Sequence, residues 1–133
     1  METNKPARSK EGVSLLVLFL ILSIFVLAVA TIYPPFVKAR EGIAVESAAN
    51  ELKYCNDAID GILRTDNTVT NASDITLERI NIYLTDLGTR TLIWPAQART
   101  ASFVPCTTNG PAIDLVLQSG VRTVTTDDIA PKN

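Results

Sequence analysis

The sequence predicts an α+β protein: a long, kinked N-terminal helix whose first half is apolar enough for a lipid bilayer and whose second half packs against a small antiparallel β-sheet. Three observations predict it. An uncharged run extends from Val13 to Tyr33, an amphipathic repeat follows from Val45 to Leu63, and short β-rich runs begin after Arg90. Beyond a short leader and this apolar run only about 95 of the 133 residues remain, enough for one small domain with one modest core.

The run Val13–Tyr33 is 21 residues long and is interrupted only by Ser14, Ser23 and Thr31. At about 1.5 Å per helical residue it reaches roughly 30 Å, the thickness of a bilayer's hydrocarbon core. Lys5, Arg8 and Lys10 precede it and Lys38 and Arg40 follow it, so flanking charge favours an inside N-terminus only weakly. A cleaved secretory signal would have a shorter apolar region ending in small residues, whereas this one ends in Tyr33-Pro34-Pro35-Phe36. Ala28-Val29-Ala30 is an imperfect cleavage site of that kind.

Beyond the run, Val45, Ala48, Ala49, Leu52, Cys55, Ile59, Ile62 and Leu63 recur at spacings of three and four, with Glu46, Asn50, Lys53, Asp57, Asp60 and Arg64 on the other face. Residues 36–64 therefore continue the helix of residues 13–35 as an amphipathic spine. Pro34 and Pro35 remove two amide donors and predict a kink or local melting, with Gly42 a second weak point. Residues 65–133 form the small head. Polar residues 64–72 read as a loop, and Asp74 is placed to cap a short helix over about 74–87 carrying Leu77, Ile80, Leu84 and Leu87, ended by Gly88. Strands are predicted at Thr91–Trp94, Ala101–Cys106, Ile113–Gln118 and Val121–Thr126, with a hairpin turn at Ser119-Gly120 and a frayed end from Asp127.

Composition argues against catalysis and nucleic-acid binding. The chain has no His, which removes Ser-His, Cys-His and His-metal arrangements, and neither cysteine lies in a C-x-x-C pair. Asp127-Asp128 reads as a solvated tail rather than a cation site, and Asp57 and Asp60 as a wet, charged helix face rather than an acid pair. Asn71-Ala72-Ser73 matches a glycosylation sequon, a pattern common by chance. Residues 41–133 carry seven basic and twelve acidic side chains, a net of −5, and their arginines are scattered singly. No basic stripe is left to attract a phosphate backbone. The reading is a non-enzyme with no cofactor, no metal and no nucleic-acid partner.

The junction Lys10-Glu11-Gly12-Val13-Ser14-Leu15-Leu16 is a short charged leader, residues 1–12, ending in Gly and followed at once by the apolar helix. This resembles the type IV pilin-like and pseudopilin family. The resemblance covers about the first 55 residues and includes Pro34, 22 residues into the mature chain it implies. It implies cleavage between Gly12 and Val13 by a prepilin peptidase, methylation of the new amine, and a pilin-like fold. It also implies partners: membrane lipid, other pilin-like subunits met through the N-terminal helix, and an inner-membrane assembly platform. The chain would then cross the inner membrane once, N-terminus in the cytoplasm and head exported, before entering a pilus or pseudopilus. Two positions depart from the family pattern. Val17 stands where most members carry a Glu, and Val13 where Phe is common. A buried amine without a carboxylate partner is costly, so the departure suits a minor or tip subunit better than a self-stacking major one. The competing reading is a membrane-anchored accessory protein that never polymerises.

Cys55 and Cys106 both fall in the segment predicted to be exported. An even count in an oxidising compartment favours a disulfide, with two separate thiols as the alternative. A bridge closing a loop of about 50 residues would contribute roughly 4 kcal/mol in the chain-entropy model.

Overall fold

A computed structural model describes residues 8–129, with side-chain surroundings from residue 14 onward. The chain divides into two compact units, Met1–Lys38 and Ala39–Asn133. Helix α1, Arg8–Thr65, contributes to both. Pro34, Pro35 and Gly42 all lie inside α1, which remains helical past them. The local melting expected at the proline pair is therefore absent. Proline's fixed φ is itself helical, so what the pair removes is two hydrogen bonds rather than the local backbone conformation.

In the second unit, α1 supplies one wall of the whole core. Its upstream part, Ala44, Val45, Ala48, Ala49 and Leu52, is buried against Ile113, Leu115 and Val124 of the sheet. Its downstream part, Cys55, Ala58, Ile59 and Ile62, is buried against Ile75, Ile80 and Leu84. The three alanines allow the sheet to approach the helix closely, as close-packed interiors require. Trp94 and Phe103 pack on both clusters, their rings 6.3 Å apart and tilted by 52°.

The short helix α2 covers Leu77–Asp86 and begins later than expected. Its cap is Thr76, whose side chain accepts from the Arg79 N–H at 3.3 Å. Asp74 instead ends a single 3-10 turn, Ala72–Asp74, after which Ile75 is extended and buries its side chain. Burial of that isoleucine moves the helix start by one turn. Gly88, with φ +74°, ends α2 where the sequence places the stop.

The sheet has three strands in the order β1-β2-β3, all antiparallel: β1 Ala98–Thr107, β2 Gly110–Leu117 and β3 Gly120–Thr125. Ile113 faces Val124, and Leu117 faces Gly120 across the hairpin, whose two turn residues are Gln118 and Ser119, one position earlier than the expected Ser119-Gly120. In β1 the register slips: Arg99 pairs with Asp114 but the next pair is Val104 with Ala112, so the strand bulges between them. Thr91–Trp94 is not a strand. Its amides are claimed by side chains, Leu92 N–H donating to Asn81 Oδ1 at 3.1 Å and Ile93 N–H to Glu51 Oε2 at 2.9 Å. A loop satisfied in this way has no ladder to join.

The chain beyond β3 is ordered further than expected. Thr126–Asp128 forms a 3-10 turn closed by a capping box between Thr125 and Asp128, and Asp128 also pairs with Arg122 at 2.8 Å.

Gly61 sits where α2 crosses α1, and a Cβ there would lie 2.2 Å from the Tyr83 hydroxyl oxygen and 2.6 Å from its ring carbon. We predict that Gly61→Ala lowers stability by about 1–3 kcal/mol, the usual cost of overpacking. In a Tyr83→Ala background the same change should cost little. Thermal unfolding of the four variants in detergent measures the coupling, and equal losses in both backgrounds would contradict it.

Candidate functional site

The feature with the most evident chemistry is the outer surface of the first unit. Every large apolar side chain from Leu15 to Phe36 named along α1 is exposed, from 45% at Val17 to 70% at Leu15, Leu16 and Phe19. Among the described residues this is the one helix long and apolar enough to cross a membrane. Its polar side chains are already satisfied inside the helix. Ser23 Oγ donates to the Phe19 carbonyl at 2.8 Å, and Thr31 Oγ1 approaches the Ala28 and Leu27 carbonyls at 2.9 and 3.1 Å. Back-bonding of this kind lets a hydroxyl face an apolar medium. Gly12 and Val13 lie within α1, and their side-chain surroundings fall outside the described residues. Val17 is one more exposed apolar residue of this surface.

The second unit holds a set of contacts that the sequence reading did not find. Glu51 is the buried charged residue of the core, its side chain 8% exposed. It takes a two-pronged pair from Arg90, Nη2 to Oε1 at 2.6 Å and Nη1 to Oε2 at 3.1 Å, and also accepts the Ile93 N–H. The Arg90 guanidinium lies 5.3 Å from the Tyr54 ring centroid and donates to its neighbour's carbonyl at Thr91. Its pKa is raised, first by the hydrogen bond to Glu51 and then by that carboxylate's charge. Glu41 does the same for the hairpin: its two oxygens accept from Ser119 N–H at 2.8 Å and Ser119 Oγ at 3.0 Å. A third tie joins Asp66, just past α1, to Arg79 on α2.

A signal for Glu51 was present. Ala44, Ala48, Glu51, Cys55, Ala58 and Ile62 follow one another at spacings of four and three, which places an acid inside the apolar stripe. A charge there needs a buried partner. Only the fold reveals that the partner is Arg90, 39 residues on.

The expected Cys55–Cys106 disulfide is not formed: both thiols are free, Cys55 buried and Cys106 exposed. Strand periodicity explains it. Phe103 and Pro105 turn toward the interior, so Val104 and Cys106 alternate onto the outside. Burial, and secondarily the Glu51 carboxylate, push the Cys55 thiol up from 9.0 to about 12. Asp57 and Asp60 are exposed, and the described residues contain no group of three or more His, Cys, Asp or Glu side chains able to hold a metal ion. A groove of about 510 Å³ runs beside α2 between Leu77, Ile82, Asp86 and Thr100.

Three outcomes are predicted. Maleimide should modify Cys106 in the native protein and reach Cys55 only after denaturation. Because the thiol of Cys55 titrates higher folded than unfolded, its contribution to stability is complete below about pH 9 and is lost as the pH rises toward about 12, where the unfolded chain ionises first. Cys55→Ala should flatten the alkaline fall of the melting temperature. For the ion pair, Arg90→Ala should lower the melting temperature more than the double change with Glu51→Gln, since the single change strands a buried carboxylate. A double variant less stable than Arg90→Ala would refute that account.

No protein-family model, no curated protein and no solved structure matches this chain.

Proposed function

We propose that this chain is a pilin-like structural subunit, present in few copies, of a type IV pilus, a type II secretion pseudopilus or a related filament. One observation carries the proposal: a single helix, α1, bears an entirely exposed apolar surface over residues 15–36 and a buried core stripe over residues 44–62. Such a helix suits a protein that first stores its N-terminal segment in lipid and then packs it against like segments, while the head folds around the other end. Large exposed apolar surface of this extent is stable in water only when covered. The leader Lys10-Glu11-Gly12 before Val13 adds the processing site such a life cycle requires. In this reading prepilin peptidase cuts after Gly12 on the cytoplasmic side, the inner-membrane assembly platform extracts the mature chain, and the head is exported. Chemistry is not part of the proposal; the chain acts by packing.

Val17 supports low copy number. Where filament-forming relatives present an acid to a neighbour's terminal amine, this helix presents an isopropyl group, so stacking copies would bury an amine without a partner.

N-terminal sequencing of membrane-extracted protein should begin at Val13, and Gly12→Val should leave the leader attached and the chain in the membrane. A terminus at Met1, with normal localisation, would favour the non-polymerising anchored protein. Val17→Glu should bring no gain in the subunit's share of sheared filaments and should weaken insertion, an acid one turn inside the bilayer costing up to a few kcal/mol according to depth. A wild-type filament built mainly of this chain would overturn the low-copy reading.

A further inference from the structure

The first unit contains two backbone acceptors whose ordinary ladder donors its own helix lacks. In an α-helix the carbonyl of one residue receives the N–H of the residue four ahead. Pro34 and Pro35 have no N–H, so inside the continuous α1 the carbonyls of Ala30 and Thr31 lose their ladder donors. The hydroxyls of Ser23 and Thr31 go elsewhere, Ser23 donating at Phe19 and Thr31 at Ala28 and Leu27. Hydrocarbon offers no donor either, and unsatisfied backbone groups are the strongest constraint on what can lie within it.

We propose that the Pro34-Pro35 pair is a depth stop that seats the helix in a bilayer, with the outer limit of the hydrocarbon at Ala30–Thr31 rather than at Tyr33, where the apolar run ends. The occupant of the surface just beyond is the hydrated headgroup layer, whose water hydrogen-bonds both carbonyls. This inference rests on the membrane-spanning reading given above and adds its register.

The neighbouring residues fit that layer. Tyr33 and Phe36 are both exposed, at 52% and 62%, and rings of this kind settle at the membrane–water boundary. Lys38, also exposed, follows with an ammonium suited to lipid phosphate. Register at one face fixes the other. Counting back about 27–30 Å from Ala30–Thr31 at about 1.5 Å per residue arrives at Lys10–Val13. The Gly12–Val13 peptide then lies at the cytoplasmic surface of the hydrocarbon. Seated three residues further in, with Tyr33 at the outer boundary, the same peptide would stand about one turn clear of it.

The test uses the full chain carrying Cys106→Ser, with Cys55 enclosed in the core and so protected. Single cysteines are introduced from Ile24→Cys to Val37→Cys, leaving the prolines in place, in vesicles of phosphatidylethanolamine and phosphatidylglycerol. N-ethylmaleimide crosses bilayers but reacts through the hydrated thiolate. Labelling should be slower by more than about tenfold up to Val29 and should become fast from Thr31 onward. The double change Pro34→Ala with Pro35→Ala returns both donors, and the transition should move outward to Phe36–Val37. A transition already at Tyr33 or later in the native sequence overturns the depth stop while leaving the membrane reading intact, as does one that the alanine pair fails to move. Fast labelling at every position means that the segment is not in the bilayer, and both readings fall together.

Discussion

The close approach of the head to one stripe of α1 is the contact on which the second unit depends. Ala44, Ala48 and Ala49 leave room for Ile113, Leu115 and Val124, while Cys55, Ile59 and Ile62 receive Ile75, Ile80 and Leu84. Without that stripe the three-stranded sheet would have one apolar face and nothing to lay it on, and α2 would be a ten-residue helix too short to persist alone. Sheet and α2 rest on different lengths of the same helix and meet at β1, where Phe103, with Trp94, fills the seam between the two clusters.

Packing alone would let such a small head slide along its support, since apolar contact is non-directional. The carboxylates of α1 supply direction. Glu51 holds the loop before β1 through Arg90 and the Ile93 amide, and Glu41 holds the β2–β3 hairpin through Ser119. The two acids stand ten residues apart on one side of the helix and grasp opposite ends of the segment between α2 and β3. Net stabilisation by a buried pair is often small, but a partnered charge is costly to misplace, and this selects one position of the head over its neighbours.

Periodicity made the apolar helix, its amphipathic continuation and the last hairpin legible, because each is a local pattern. Seven of the eight residues of the stripe read from the sequence are buried, Leu63 being only partly covered, while Ala44, Glu51 and Ala58 are buried on α1 without having been part of that stripe. What escaped was decided by distant partners. Thr91–Trp94 has strand-forming residues, yet its amides belong to Asn81 and Glu51. Asp74 is a good cap in isolation, but burial of Ile75 hands the task to Thr76. The cysteine pairing failed on direction: compartment and count say nothing about which side of β1 carries residue 106. At the proline pair, of the kink or local melting read from the two missing donors, the melting does not occur: the helix continues through both residues.

Trp94 is the only tryptophan in the chain, and it touches both core clusters at once. Its indole Nε1 is buried with no hydrogen-bond partner among the described residues. The protein thus carries a built-in optical probe at the seam of its head: separation of the sheet from the helix, or of α2 from the helix, would admit solvent to the same ring and shift the same emission band.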